Sequence, residues 1–391
     1  MNILGISGAI GWDGNIQQIM CRGELVNLRI HGSGATLFMD GHLKHALHEE
    51  RFSRIKNDGN YPKLSIEKIL DNNGLTKHDI HLVVYVFGPE NMIQFGMRAA
   101  GHSQLKLQEY FPHAKVEVVP HHLAHAAATF FTSGFDEANV LTFDGAGDSE
   151  SRGSGQWGIP HLKFLQGKGL TLREIHTEYY GISKMYESFG HLYNKYSLFA
   201  YQNKMNLTEV DIDQSLVEKL PGKVMGLAAY GDHRNVFLHD WFDLERERQR
   251  KSSEEWEDCF PQLCNSSSEQ GIKDDNDLQV DLNPDDLAAW SQHQFEKYLL
   301  LFLDNIPKHI KRDNLCLGGG CALNILANTK ILEEGIYKNV HVNTAPNDDG
   351  LHFGAALYRA LDLEDEVFVP DDIGYLGIEY DDTDVIEALQ T

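Results

Sequence analysis

His121 and His125 lie in the run His121-His122-Leu123-Ala124-His125, upstream of Asp144-Gly145-Ala146-Gly147-Asp148. On a helix, residues four apart share one face, a turn apart, where two imidazoles can bind one metal ion. Ala126-Ala127-Ala128 continues the run in strong helix formers. Val140-Leu141-Thr142-Phe143 reads as a short buried strand that delivers Asp144 at its end, before a glycine turn. Two imidazoles and a carboxylate beside such a loop suit a divalent metal that holds a nucleotide phosphate. His-x-x-x-His alone also fits a helix with a polar face.

Further motifs could join this chemistry. Gly318-Gly319-Gly320-Cys321-Ala322-Leu323-Asn324 sits between a predicted strand and a helix, where glycines allow close backbone approach and a helix N-terminus offers N–H groups. Tight strand–helix packing is the alternative. Gly222 to Gly231 is glycine-rich and lacks the spacing of a Walker loop, yet it could place Lys223 on a phosphate. A closely packed helix with glycine ends is the plainer reading. Pro346-Asn347-Asp348-Asp349-Gly350 precedes a small-residue helix, so Asp348 could supply another carboxylate ligand while Asp349 caps. Glu49 to Lys56 places two acids before Arg51, Arg54 and Lys56; these cations could grip an anionic group or form an exposed ion-pair face. His31-Gly32-Ser33-Gly34 leads into the second core strand as a phosphate loop or a simple turn, and Ser188 to Tyr193, with His191, reads as pocket lining.

The elements that must position these groups follow from hydropathy and turn signals. Strands are predicted at Met1 to Ser7, Ala35 to Met39 and His42 to His48, with Asp40-Gly41 as a tight hairpin turn. Ser65 to Asn72 reads as an amphipathic helix closed by Gly74. Further strands are expected at His81 to Phe87, Lys115 to Val119, Val140 to Phe143, Gly155 to Ile159, Thr171 to His176 and Asn314 to Leu317. A long helix over Asp285 to Asn305 has apolar positions at Phe295, Tyr298, Leu299, Phe302 and Leu303. The order suggests two similar α/β lobes, 1–135 and 136–362, with a polar insertion at about 232–287 and the start of a linker over 363–391.

Bulk composition narrows the partners. With 58 acidic against 34 basic residues in 391, the formal net charge is −24, which repels nucleic-acid backbones and anionic lipid. No uninterrupted apolar stretch is long enough to span a bilayer, and the N-terminus lacks the basic region and apolar core of a signal peptide. Five cysteines, an odd number, fit free thiols in a reducing cytoplasm.

Taken in order, Glu49 to Lys56, His121 to His125, Gly222 to Gly231, Gly318 to Gly320 and Asp348-Asp349-Gly350 resemble the O-carbamoyltransferases of the nodulation and antibiotic-tailoring type, over roughly Met1 to Glu379. The resemblance implies a two-lobed fold of mixed sheets flanked by helices, shared with actin, sugar kinases and heat-shock chaperone ATPases (the ASKHA fold) and related to the tRNA threonylcarbamoyladenosine transferases. It implies carbamoyl-adenylate made from carbamoyl phosphate and ATP, then transfer of the carbamoyl group to a hydroxyl of a small-molecule natural product. Hydrolysis of the adenylate without acceptor would be a side activity. By motif match, His121, His125, Asp144 and Asp348 would hold iron or another divalent metal. Gly145, Gly147, Lys223, Gly318, Gly319 and Asn324 would line the nucleotide. His31, Arg54 and Lys56 would lie near the carbamoyl group, with His31 the candidate base.

The family usually adds a C-terminal domain that forms carbamoyl-adenylate. The resemblance therefore implies that 363–391 leads toward such a domain, that a partner supplies it, or that the first half-reaction is lost; a homo-oligomer is a separate expectation. Ala9 to Ile30 reads as an insertion that could reshape the acceptor entrance. A nucleotide-binding regulatory or scaffold subunit and a tRNA-modifying transferase are the competing readings; the acidic balance weighs against the latter.

Overall fold

The structure is a computed structural model and describes residues 1–9, 17–21, 24–28, 31–86, 104–145, 147, 150–153, 156–180, 188–207, 220–238 and 282–390. The chain divides into two compact units, Met1–Glu90 with Phe95–Ala124 and Asp348–Thr391, and Asn91–Gln94 with His125–Asn347.

The first unit is built on β1 (Asn2–Ser7), β4 (Gly34–Met39), β5 (His42–His48), β6 (Leu82–Tyr85) and β7 (Lys115–Val118), ordered β5-β4-β1-β6-β7. The first three strands run antiparallel, and β6 and β7 join parallel. Asp40 (φ 48°) and Gly41 (φ 75°) are both left-handed, the geometry that a two-residue hairpin matching strand twist demands. Helix α2 (Lys63–Asn72) starts two residues before its predicted beginning and runs out toward Gly74 at φ 62°. Its Ile66 and Ile69 pack with Leu4, Ile6, Leu37, Val83 and Val116 in the unit's core.

The second unit repeats that order with other strands: β8 (Glu137–Phe143), β10 (Gln156–Lys168), β11 (Thr171–Tyr180), β12 (Asn314–Gly318) and β13 (Asn339–Val342) run β11-β10-β8-β12-β13. Again three antiparallel strands are followed by two parallel ones. Two mixed sheets of one topology, flanked by helices, are what the expected actin/sugar-kinase/chaperone-type architecture requires. Helix α6 (Pro284–Asp304) begins at Asn283, whose side chain accepts from Asp285 N, with proline in the first turn. Its predicted apolar stripe, Phe295, Tyr298, Leu299, Phe302 and Leu303, is buried against Leu141, Phe143, Leu162 and Phe164 of the sheet.

The unit boundaries differ from a division at 135 and 362. Helix α8 (Leu351–Leu363) returns to the first unit and lies on β1 and β4. Contact is so close that a Cβ on Gly5 would sit 2.2 Å from the His352 carbonyl oxygen. Beyond it, the segment read as the start of a linker borders β5: Leu43 N–H donates to Phe368 O, Ala46 N–H to Leu376 O, and His42 stacks on Phe368. That covers an edge strand otherwise open to pairing. The segment read as an insertion at 9–30 contains a separate antiparallel pair, β2 (Gln17–Cys21) and β3 (Glu24–Leu28). Of the polar insertion, 239–281 lies outside the described residues, and so do Cys259 and Cys264; Cys316 and Cys321 are free thiols. Among the described residues, no helix is long and apolar enough to cross a membrane.

Candidate functional site

Helix α3 (His121–Phe130) starts directly after Pro120, whose carbonyl accepts the Ala124 N–H, and its alanines are buried. His121 and His125 therefore occupy successive turns of one continuous helix, about 6 Å apart in rise, and both are buried. His121 Nε2 lies 3.5 Å from Asp348 Oδ1, and the other oxygen of that carboxylate lies 3.6 Å from His31 Nδ1. His125 Nε2 lies 3.3 Å from Asp144 Oδ2. These separations exceed the ~2.7–2.9 Å of a charge-assisted hydrogen bond. They match the edge between two ligands that each sit about 2.0–2.2 Å from a shared ion. Each imidazole–carboxylate pair offers donors of the kind that iron, manganese and zinc accept.

Asp144 is held at the end of β8 by backbone amides. Gly145 N–H donates to Oδ1 (2.7 Å) and Gly320 N–H to Oδ2 (2.9 Å). Gly319 makes this seat (φ 89°, ψ 163°); its N–H donates to Pro346 O, and a Cβ there would meet the Phe143 carbonyl oxygen at 2.3 Å. Gly147 N–H is taken by Pro160 O. The N–H groups of Gly145, Gly147 and Gly319, residues expected to line a nucleotide, have protein acceptors. Gly318 lies where a Cβ would meet His125 O at 3.2 Å, a close helix–strand approach. Asn324 caps α7 (Ile325–Glu333) by accepting Ala327 N–H, and its amide exchanges two hydrogen bonds with Gln292. Lys223, on α5 (Leu220–Leu227), is exposed and has its ammonium 5.0 Å from the Tyr201 ring centroid. Ala146 and Asp148 lie outside the described residues.

In the first unit, the His31-Gly32 turn and the loop that carries Arg54 and Lys56 are fastened near the Ser7/Gly34 end of β1 and β4. A Cβ on Gly32 would strike the Asp348 main chain at 2.5 Å, so the His31-Gly32 turn rests on Asp348. The loop after α1 (Glu50–Ser53) is tied to the same end: Ser33 N–H donates to Asp58 O and Ala9 N–H to Gly59 O. Glu49, which the sequence offered only as part of a charged run, is buried and accepts from Leu64 N, Ser65 N and Ser65 Oγ. It anchors the loop to the start of α2 from 15 residues upstream, a separation no local capping signal covers. Burial pushes the Glu50 carboxyl up, but the Asn57 N–H and Lys56 outweigh it and hold it below the usual range. Lys56 Nζ lies 3.0 Å from both Glu50 oxygens.

Arg54 is exposed and left-handed (φ 63°, ψ 17°), a conformation costing a non-glycine residue about 1–2 kcal/mol. Arg54→Gly should leave stability unchanged or raise it by up to about 1 kcal/mol, while lowering any activity that uses the guanidinium. Thermal melts beside turnover measurements check both halves; a large loss of stability would show that Arg54 serves the fold.

Ser188 caps α4 (Phe189–Met205) by accepting His191 N–H, and His191 Nε2 would lie 3.4 Å from a Cβ at Gly145. No sequence motif marks His161 on β10, whose carbonyl accepts the Asp144 N–H. Burial pushes the His161 imidazole down to about 4, although Glu178 opposes the shift. An unfolded histidine titrates near 6.5. Stability is therefore full above that value and is lost as pH falls toward about 4, by roughly 3 kcal/mol from this group. Urea midpoints between pH 7 and pH 4 should fall in wild type and fall less in His161→Gln; parallel curves would refute this.

The family model described as carbamoyltransferase N-terminus matches residues 97–357. Among curated proteins, the chain is 28% identical to the uncharacterized protein sll1178 of Synechocystis sp., over 91% of this chain and 60% of that protein. It is 27% identical to nodulation protein NolNO of Sinorhizobium fredii, over 87% and 48%. The chain thus spans about half to three-fifths of the length of these relatives. Among solved structures, HypF of T. kodakarensis aligns with a TM-score of 0.47 at 13% identity, covering 93% of this chain and 48% of that one. Component A of the (R)-2-hydroxyglutaryl-CoA dehydratase of Acidaminococcus fermentans aligns with a TM-score of 0.44 at 12% identity, covering 93% and 99%.

Proposed function

The chain belongs to the carbamoyltransferase family, and from that premise we propose that it transfers the carbamoyl group of carbamoyl-adenylate to the hydroxyl of a small-molecule acceptor. The acceptor oxygen bonds to the carbamoyl carbon, the bond from that carbon to the phosphate oxygen breaks, and AMP leaves with the electron pair. The acceptor's proton passes to His31, whose Nδ1 faces Asp348 and whose side chain is 40% exposed. Arg54 and Lys56, on the loop stitched to the same sheet end, supply positive charge to the anionic donor.

The observation that carries the reading is the pair of imidazole–carboxylate contacts on successive turns of α3. By the family resemblance, His121, His125, Asp144 and Asp348 would hold one divalent cation, iron. When bound, such an ion would neutralise phosphate charge. The backbone seat around Asp144 and the burial of both histidines keep the donors preorganised. ATP and carbamoyl phosphate are the precursors of the donor.

The test supplies carbamoyl-adenylate to the metal-loaded chain and follows AMP and carbamoylated alcohol by mass spectrometry. AMP release that depends on the chain and is abolished by His31→Asn together with Lys56→Met supports the reading. Turnover unchanged in that variant, or absent from the wild type, overturns it.

A further inference from the structure

We infer that Glu50 is the counter-charge that Lys56 exchanges for the phosphate of the nucleotide donor, so that Glu50 sets how tightly the first unit holds that donor. This rests on the reading above that Lys56 meets an anion. The two partners differ in freedom. The Glu50 side chain is 11% exposed, and its Oε2 also accepts the Asn57 N–H at 2.9 Å, which fixes the carboxylate. Lys56 is 61% exposed on a flexible four-carbon stem, so its ammonium can swing to a new partner while the carboxylate stays.

Lys56 is not needed to close the turn. Arg54 N–H donates to Glu50 O at 3.1 Å and Asn57 N–H to the Glu50 carboxylate, so two N–H bonds already fold the loop onto this residue. Nor would departure of Lys56 strand the charge. Arg51, 73% exposed, has Nη2 3.9 Å from Glu50 Oε1, placed to take over as partner. The loop itself is committed: Arg54 and Asn57 both hold left-handed backbone (φ 63° and 54°), and Asp58 and Gly59 fasten it to Ser33 and Ala9. A fixed carboxylate, a mobile ammonium and a second cation in waiting make an exchange site for a phosphate group.

Titration calorimetry of the full chain with ATP tests this on wild type, Glu50→Gln, Lys56→Met and the double variant. The glutamine keeps an oxygen for Asn57 N–H. Glu50→Gln is expected to bind ATP roughly twofold to fivefold more tightly, the range of an exposed ion pair, and the double variant no more tightly than Lys56→Met. Unchanged or weaker binding by Glu50→Gln overturns the exchange, as does a gain that survives in the double variant. If neither wild type nor Glu50→Gln binds ATP, the nucleotide reading itself fails and takes this inference with it. Should Glu50→Gln melt below the assay temperature, Arg51→Met serves instead: loss of the replacement partner should weaken ATP binding at least about twofold, and an unchanged affinity overturns the proposal.

Discussion

His125→Ala, purified anaerobically and loaded with ferrous iron, is expected to retain no stoichiometric metal, whereas the wild-type chain retains about one ion. His125 is buried, and its Nε2 faces the carboxylate of Asp144, so alanine removes one donor and leaves that carboxylate to its two backbone amides. Carbamoyl transfer should fall by at least about a hundredfold, since even outer-shell changes at metal centres lower affinity or activity by roughly ten- to a hundredfold. Asp144→Asn perturbs both the proposed metal site and the fold, so its melting curve is read beside its metal content. Its amide still accepts a hydrogen bond through one oxygen but presents NH2 to a second backbone donor, costing about 1–3 kcal/mol in addition to the metal. Metal content by plasma emission and melting curves on the same samples decide the matter. Iron retained by His125→Ala at the wild-type level would remove α3 from the metal site.

Gly319→Ala should cost about 2–4 kcal/mol of stability. At φ 89° and ψ 163° the residue occupies backbone space essentially reserved for glycine, which alone costs a side chain about 1–3 kcal/mol. A Cβ would also meet the Phe143 carbonyl oxygen at 2.3 Å, an atom of β8 that cannot yield without dragging Asp144 with it. Gly226→Ala is the control. It lies in α5 with nothing within 4 Å of the added methyl, so alanine should stabilise the helix by roughly 0.5–1 kcal/mol. Urea unfolding of both variants measures the contrast. Equal midpoints would mean that the Gly319 backbone relaxes and that the Asp144 seat is not rigid.

The parts of this site that the sequence announced are those with local signatures. The four-residue spacing of His121 and His125 is a property of one helix, and a β-branched strand followed by Asp-Gly marks where Asp144 emerges. Asp40-Gly41, Gly74 and the apolar stripe of α6 were legible for the same reason. What was hidden depends on segments far apart in the chain. Nothing in the spacing of Gly318-Gly319-Gly320 says that the Gly320 N–H serves Asp144, 176 residues earlier. Glu49 looked like one more surface acid because its acceptors' partners begin at Leu64. The small-residue helix α8 was legible, but not the strand it packs on, which is β1, at the other end of the chain.

That last contact governs the order in which the polypeptide can acquire structure. The second unit is nearly uninterrupted in sequence, His125–Asn347, so during synthesis all of its described strands and helices are present before α8 has been made. The first unit lacks the helix that covers Gly5 and β4 until translation passes Leu363. The residues made first are therefore the last to be completed, and through most of synthesis one face of the first sheet awaits its cover. Such long-range closure slows folding and leaves apolar surface open to association or chaperone capture. A fragment ending at Phe135 should accordingly behave as an aggregation-prone, partly structured chain, and one supplied in trans with the segment from Asp348 onward should regain protection of β1 against hydrogen exchange.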